Sequence, residues 1–306
     1  MTQTALILGA NGRFGRHAAL AFENAGWQVT RFDRRTDDLD TAARRTDVIV
    51  NAWNPLYTDW ARQVPDLHGR VIRAAKAADA TVIVPGNVYV FGAETAAPWS
   101  GTSPHRATNS LGRIRIEMER AYRDSGVRTI ILRAGDFLDT EASDNWFDKI
   151  MISKLKKGVF TYPGNPDIPH AWAFLPDMCR AAVLLAEQRA DLPVFNDIPF
   201  AGYTLSGQEA ANLVDAATPY DVRLKQLNWL PVQMIAPLWK MGRLLLEMRY
   251  LWNTPHWLDD AQLKTLLPDF TPTPPAEAFR QSVQGAGFTI TSTQTNRWRL
   301  ADSAAS

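Results

Sequence analysis

The chain has 306 residues, of which 46% are hydrophobic and 21% are charged, and its formal net charge is +1. This composition is typical of a soluble globular protein with one large domain or two unequal lobes. The charge balance excludes a bulk attraction to nucleic acid or to an anionic membrane. The single cysteine, Cys179, excludes an internal disulfide. Because no secretory signal is visible either, a reducing, cytoplasmic location is expected.

A glycine-rich turn near the N-terminus is the most informative motif. Residues Gly9-Ala10-Asn11-Gly12-Arg13-Phe14-Gly15 directly follow an apolar run, 5–8, that predicts a short buried strand. Residues 13–25 predict a helix, and 28–32 predict a second strand that ends at Asp33. The glycines would let backbone N–H groups approach a pyrophosphate at the positive end of the helix. Strand, turn, helix, strand and carboxylate in this order predict a dinucleotide site.

Strands and helices continue to alternate through the first half of the chain. Further strands are predicted at 47–52, 81–84 and 128–133, with helices at 67–78 and 109–124. This alternation predicts an α/β fold with a doubly wound parallel sheet of the Rossmann type.

Beyond residue 134 the alternation loosens. Helices are predicted at 145–157, 176–188 and from Ser206, with short strands near 194–196 and 222–227 before a helical, Trp-rich remainder. We therefore predict a nucleotide-binding lobe at 1–136, to which 172–200 return. A smaller, discontinuous and mainly helical substrate lobe is predicted at 137–171 and 201–300, with a disordered tail at 301–306.

Five motifs together resemble the short-chain dehydrogenase/reductase superfamily, in its extended and atypical branch of NAD-dependent epimerase/dehydratase-like proteins. The resemblance extends over residues 1–215. The motifs are the Gly9/Gly12/Gly15 turn, Val84–Gly92, Gly112–Glu117, Leu132–Phe137 and Phe174–Ala182. It implies a Rossmann-type fold, a nicotinamide dinucleotide and hydride transfer at a carbonyl or alcohol.

The sequence departs from this family at the residues that transfer protons. Catalytic members have a Ser or Thr after the fourth strand, and a Tyr four positions before a Lys on the following helix. Counting along the resembling motifs gives Asn87, Asn109 and Arg113 at these places. An amide donates hydrogen bonds but does not exchange a proton near neutral pH. Arg113 would bind the nicotinamide ribose, and Asn87 and Asn109 would donate hydrogen bonds. The proton would come from Tyr89 or water, with Tyr57 as the second candidate side chain. The alternatives are a packed strand aromatic at Tyr89 and an ordinary helix cap at Asn109.

The cofactor choice depends on the residues that follow the second strand. Asp33 favours NAD, because a carboxylate accepts hydrogen bonds from a ribose and repels a 2′-phosphate. Arg34 and Arg35, together with Arg13 in the turn, favour NADP. We predict NAD(P) with a preference for NADP. Three residues after the third strand are predicted to lie beside the nucleotide: Asn51, Ala52 and Trp53.

The Trp-rich segment 229–252 is interrupted by prolines and charges too often for a membrane-spanning helix. It is interpreted as a lid over a substrate cleft or as a helix packed on the sheet, and membrane-surface binding is less favoured. The scattered histidines show no pair at metal-ligand spacing, so no metal site is predicted.

The sequence therefore predicts an atypical NAD(P)-dependent oxidoreductase, epimerase or dehydratase that lacks the usual Tyr/Lys pair. Its substrate would be a small organic or sugar-like carbonyl or alcohol, bound against aromatic side chains. The alternative is a non-catalytic, NADP-sensing regulatory protein. The chain is expected as a monomer or homodimer without a nucleic-acid partner or a membrane span.

Overall fold

The structure, a computed structural model, describes residues 2–290. It contains a large sheet and two small ones. The strands in chain order are β1 (Thr4–Leu8), β2 (Gln28–Phe32), β3 (Val48–Asn51), β4 (Thr81–Asn87), β5 (Thr129–Ala134), β6 (Asp136–Leu138), β7 (Val159–Tyr162), β8 (His170–Phe174), β9 (Phe195–Pro199), β10 (Tyr203–Leu205) and β11 (Arg223–Gln226). The helices are α1 (Arg13–Asn24), α2 (Leu39–Ala43), α3 (Trp60–Ala78), α4 (Ser110–Ser125), α5 (Leu175–Glu187), α6 (Gly207–Ala217), α7 (Leu230–Ile235), α8 (Lys240–Met248), α9 (Ala261–Leu266) and α10 (Pro275–Gly285).

The large sheet has six parallel strands in the order β2-β1-β3-β4-β5-β9. The order runs outward from β1 in both directions, so the chain switches sides of the sheet there. Leu8 at the end of β1 lies beside Phe32 on β2 and Asn51 on β3. A crevice therefore opens at the carboxyl ends of these three strands, which is where ligands bind in open α/β sheets.

Helices cover both faces of the large sheet and form its two hydrophobic layers. On one face α1 packs on α5, and Phe14 and Phe22 share a buried cluster with Met178. On the other face α3 packs on α4, and their buried apolar residues form a second cluster with the sheet. The predicted class, a Rossmann-type doubly wound parallel sheet, is confirmed.

A buried cation joins three elements of this sheet. The Arg133 guanidinium on β5 binds the Glu119 carboxylate on α4 at 2.7 Å and the Asp197 carboxylate on β9 at 2.6 Å. Burial of a charge is costly unless it is paired, so loss of Arg133 would leave two buried carboxylates without their cation. This triad fixes α4 against the carboxyl half of the sheet.

The remaining elements form a third buried cluster around two small sheets. Their strand orders are β10-β8-β6 and β11-β7. Phe147, Trp172 and Phe279 are fully buried in this cluster, and α6 packs on α10 beside it. The division of the chain into lobes at residue 136 stays a prediction, and the tail at 301–306 lies outside the described residues.

Two predicted helices differ from the structure. The helix predicted at 145–157 is a π-helical turn, Phe147–Met151, followed by a 3₁₀ turn, Leu155–Lys157. Buried Phe147, Met151 and Leu155 hold both turns against the third cluster, so tertiary packing overrides a continuous helix. Helix α3 begins at Trp60, seven residues before the predicted start, because the buried Trp60 ring anchors the first turn and its Nε1 donates to the Pro55 carbonyl.

Among residues 2–290 no helix is both long enough and apolar enough to cross a bilayer.

Candidate functional site

The glycine turn between β1 and α1 leaves backbone N–H groups free at the carboxyl edge of the sheet. Gly9 has a φ of +77°, a conformation that side chains disfavour, and its carbonyl accepts from the Gly12 N–H at 2.8 Å. A Cβ on Gly15 would overlap the Gly9 carbonyl oxygen. Helix α1 begins at Arg13 without a side-chain cap on its N–H groups. The turn therefore presents the positive end of α1 as a binding site for an anion.

A cleft of about 760 Å³ extends from this turn along the ends of β2 and β3. It is large enough for a substantial part of a dinucleotide. Nine of the predicted cofactor residues line the cleft: Gly9, Ala10, Asn11, Gly12, Asp33, Arg34, Arg35, Ala52 and Trp53.

Other predicted cofactor residues do not line this cleft. Phe14 is packed in the sheet core and Gly15 is buried behind the turn. Asn51 is also buried, and its Nδ2 donates to the Tyr122 hydroxyl at 3.0 Å. Arg13 donates to the backbone carbonyls of Ser143 and Asp144 at 2.7 and 2.8 Å. Arg13 therefore ties the loop after β6 to the glycine turn.

The charges at the far end of the cleft are arranged as a pair and a free cation. Arg35 Nη2 lies 2.7 Å from Asp33 Oδ2, and hydrogen bonds from Arg35 lower the pKa of Asp33 to about 2. Arg34 is exposed beside them and forms no ion pair within the described part of the chain. The Asp33 carboxylate is thus ionised and engaged, while Arg34 remains open to an anion.

Helix α4 places its predicted residues away from the cleft. Asn109 is the N-cap, and its Oδ1 accepts from the Gly112 N–H at 2.7 Å. Arg113 is exposed. The face of α4 that packs toward the sheet instead carries Leu111 and, four residues later, Arg115, both buried.

Arg115 is a buried cation that forms no ion pair within residues 2–290. Its Nη2 donates to Asn54 Oδ1 at 3.1 Å, its Nη1 contacts the Met118 sulfur at 3.3 Å, and its guanidinium lies 4.4 Å from the centre of the Trp60 ring. Its Nε has no hydrogen-bond partner in the described chain. Burial lowers the pKa of Arg115. The sequence analysis missed this residue, although the spacing of Leu111, Arg115 and Met118 on one helical face indicates its burial.

Two tyrosines meet beside Arg115 at the ends of β3 and β4. The Tyr57 and Tyr89 hydroxyl oxygens are 2.5 Å apart, and both rings pack near Trp60. Asn87 holds the turn by accepting from the Tyr89 N–H at 3.1 Å. Burial raises the pKa of both tyrosines above the ordinary value. The pair therefore stays protonated at neutral pH, and its hydroxyl groups can donate hydrogen bonds.

An acidic group also influences the tyrosine pair. The Asp136 carboxylate adds, after burial, to the upward shift in the pKa of Tyr89. Asp136 Oδ2 lies 2.8 Å from Nε2 of the buried His170, whose ring stacks on Trp252 at 4.4 Å. Asp136 belongs to the predicted motif Leu132–Phe137, where no role was predicted for it. Its position at the first residue of β6, directly after β5, is what brings it to the same sheet edge.

One group of metal-ligand type occurs among the described residues, namely His105, Glu119 and Asp197. The Arg133 guanidinium already binds both carboxylates. A cation of the protein itself therefore occupies the place where a metal ion would bind.

Comparisons with known proteins agree with the observed fold. The family model described as RmlD substrate binding domain matches residues 3–159. A search of curated proteins gives no significant match. Three solved structures are similar at 14–15% identity. UDP-glucose 4-epimerase from Brucella ovis in complex with NAD matches with a TM-score of 0.71, over 95% of this chain and 100% of that one. UDP-N-acetylglucosamine 4-epimerase from Bacillus cereus has a TM-score of 0.71 (94% of this chain, 100% of that one), and UDP-glucuronic acid 4-epimerase from Bacillus cereus in complex with NAD has a TM-score of 0.70 (93% and 96%). The chain belongs to the RmlD substrate binding domain family, and with it to the extended short-chain dehydrogenase/reductase superfamily that its motifs resemble.

Proposed function

We propose that the cleft at the glycine turn binds a nicotinamide dinucleotide. The single observation that carries this proposal is the cradle itself, where a Cβ at Gly15 would overlap the Gly9 carbonyl and the N–H groups of α1 are uncapped. The pyrophosphate would bind at Gly9 to Gly12, with the adenine beside Ala52 and Trp53. The solved structures of the Brucella and Bacillus epimerases in complex with NAD support the same choice of ligand class.

We further propose that the dinucleotide is NADP rather than NAD. Arg35 neutralises Asp33, which is the group that would repel a 2′-phosphate. Arg34 remains available at the same end of the cleft. One neutralised carboxylate and one open guanidinium favour a ligand with an additional phosphate.

Arg115, rather than Arg113, fits the place of the family's lysine. A buried cation without a carboxylate partner is costly, and a ligand hydroxyl would reduce this cost by accepting a hydrogen bond. Arg113 is exposed and Asn109 is engaged as a helix cap. With Arg115 at the lysine place, the family's tyrosine place falls four residues earlier, on Leu111, whose side chain has no acidic proton to transfer.

The proton would instead come from the pair of Tyr57 and Tyr89. A bound nicotinamide supplies hydride-transfer chemistry at a carbonyl or alcohol carbon. Tyr89 would donate a hydrogen bond to the substrate oxygen and then its proton, and Tyr57 would hold the Tyr89 ring in position. Because Tyr89 is protonated at neutral pH, the direction in which it acts as the proton donor is the reduction of a carbonyl, although its raised pKa makes it a weaker acid than an ordinary tyrosine.

We therefore propose an atypical reductase or epimerase that acts on a small organic or sugar-like carbonyl. The partly exposed rings of Tyr57 and Tyr89, at the same sheet edge, offer faces for such a substrate. The test is turnover: the purified protein with NADPH and a panel of carbonyl compounds, sugar nucleotides included, should lose absorbance at the nicotinamide band only when a substrate is present.

A second function, a non-catalytic NADP sensor, is favoured by one observation. With Arg115 at the family's lysine place, the buried Leu111 stands at the place of the family's tyrosine and cannot donate a proton. The same assay separates the two proposals. Saturable cofactor binding without turnover of any carbonyl would support the sensor and contradict the enzyme.

A further inference from the structure

The segment between β11 and α8 has an unusual concentration of exposed apolar side chains. Of the large hydrophobic residues that are exposed in the described chain, five lie at 230–239, and the most exposed are Leu238 at 97% and Met234 at 73%. The others are Leu230, Ile235 and Trp239. An apolar surface of this kind usually marks a site of association.

This segment, which we name the 230–239 face, is firmly attached to the protein. Trp229 is buried, and its Nε1 donates to the Pro163 carbonyl at 2.6 Å. Ala236, directly after the last residue of α7, is also buried. Lys240, directly after the face, donates from Nζ to the Thr58 carbonyl at 2.5 Å. The apolar side chains are thus presented to solvent from an anchored backbone.

The charged residues of the sequence segment that contains the 230–239 face have one sign. Residues 222–246 contain four basic residues and no Asp or Glu, although the whole chain has nearly equal numbers of both. The four are Arg223, Lys225, Lys240 and Arg243, and all are exposed. None of them forms an ion pair with a carboxylate of residues 2–290. The local charge is therefore available to an external anion.

Two kinds of occupant can be compared on this charge. A second copy of the chain, docked by two-fold symmetry, would bring the same four cations against each other. Like charges placed together in this way oppose association. An anionic lipid surface has the opposite charge, and its interface also accommodates Trp, Leu and Met side chains.

We propose that the 230–239 face docks the protein on an anionic phospholipid bilayer without crossing it. The apolar side chains enter the boundary between headgroups and acyl chains, and the four cations bind lipid phosphates and carboxylates. This docking is independent of the nucleotide proposal, because it uses none of the cleft residues named above.

Vesicle flotation of the full-length protein tests the proposal. We expect the protein to float with phosphatidylcholine vesicles that contain about 30% phosphatidylserine and to remain in solution with pure phosphatidylcholine, because attraction to anionic headgroups supplies much of the binding. Raising the salt from about 0.1 to 0.5 M should reduce the bound fraction several-fold.

Two double variants distinguish docking through the 230–239 face from nonspecific hydrophobic adsorption to vesicles. Met234→Ser with Leu238→Ser should lower the partition coefficient about tenfold or more, because two exposed apolar anchors are lost. Leu20→Ser with Val194→Ser, which removes two exposed apolar residues elsewhere, should leave it unchanged. Circular dichroism checks that both variants fold, which surface positions allow.

The proposal is overturned if the wild-type protein does not float with anionic vesicles, or if both double variants float equally well. It is also overturned if sedimentation shows a dimer that the Met234/Leu238 variant abolishes while vesicles bind neither protein. In that case the face is a contact between two copies.

Discussion

The glycine turn and helix α4, which lie at the same edge of the sheet, differ in how closely they follow the family's sequence pattern. At the glycine turn the family's spacing is kept, and the backbone makes the close approach that requires glycine at position 15. On α4, in contrast, we propose that Leu111 and Arg115 take the places of the family's proton-transfer residues. On this proposal, binding a nucleotide and moving a proton are separable properties of one fold.

A second contrast lies in how the ends hold charge. The cleft end is open and has an exposed Arg34 beside an engaged Asp33. The end with Tyr57, Tyr89 and Arg115 is more closed, and burial shifts the pKa of all three groups. Perturbed pKa values of clustered groups are typical of functional sites. The closed end is therefore where we expect chemistry.

The largest expected effect concerns the proton at the closed end. Tyr89→Phe should lower kcat by about 10²- to 10⁴-fold, because a general acid is removed. Tyr57→Phe should cost much less, since it removes only the partner hydroxyl. Initial rates of NADPH consumption measure both, with nucleotide binding as the control. Wild-type turnover by Tyr89→Phe would contradict the proposed proton donor.

The stability of the two regions should respond to acid through two buried histidines. Burial lowers the pKa of His68, beside the cleft, and of His256, near the small sheets, to about 3. The unfolded chain takes up protons below a pH of about 6.5 while the folded histidines stay neutral, so stability is lost as the pH falls toward 3. Between pH 6.5 and 5 each histidine should cost about 2 kcal/mol of the free energy of unfolding.

Urea unfolding at several pH values measures this loss. His68→Gln and His256→Gln should each remove about half of the slope. A free energy of unfolding that does not change between pH 7 and 5 would contradict the burial of both rings.

The assignment on α4 can be tested with a matched pair of variants. Arg115→Met should weaken nucleotide binding about 10- to 100-fold, because a charge-assisted hydrogen bond to the ribose is lost. Arg113→Met, two residues away and exposed, should change the Kd less than about twofold. Quenching of tryptophan fluorescence by the nucleotide reports both. The reverse order of effects would return the role to Arg113.

The smallest expected effect concerns the choice of dinucleotide. Arg34→Ala should weaken NADPH binding about five- to tenfold and leave NADH binding nearly unchanged, because an exposed guanidinium is screened by salt. The ratio of the two Kd values, measured at low and at high salt, gives the result. An equal loss for both dinucleotides would remove the support for NADP.

The sequence analysis predicted the parts of the fold that follow from local pattern. Apolar runs of strand length and a glycine turn set β1, α1 and β2 almost residue by residue. The π-helical and 3₁₀ turns after Asn145 were not predictable, because residues distant in the chain, such as Phe279, decide their packing. The outcome shows that local pattern alone does not fix an element whose core partners come from the far end of the chain.

The site was predictable where backbone geometry dominates and less so where side chains matter. The turn required glycine, so its positions were clear from spacing. On α4 the predicted motif, Gly112–Glu117, ends at an exposed glutamate, whereas the buried Glu119 is the residue that binds Arg133. Only the structure shows which carboxylate faces the sheet, and this shifts the expected cation from Arg113 to Arg115.

Calorimetric titration of NADPH into the protein tests the central claim most directly. The account predicts saturable heat with one dinucleotide per chain. It also predicts that Gly12→Ala binds NADPH much more weakly, because its methyl group would lie 3.2 Å from the Gly9 carbonyl oxygen at the mouth of the cradle. Gly69→Ala on α3 should bind NADPH unchanged, because its new methyl group meets nothing closer than 3.8 Å. No heat with either NADPH or NADH, or equal binding by Gly12→Ala, would contradict it.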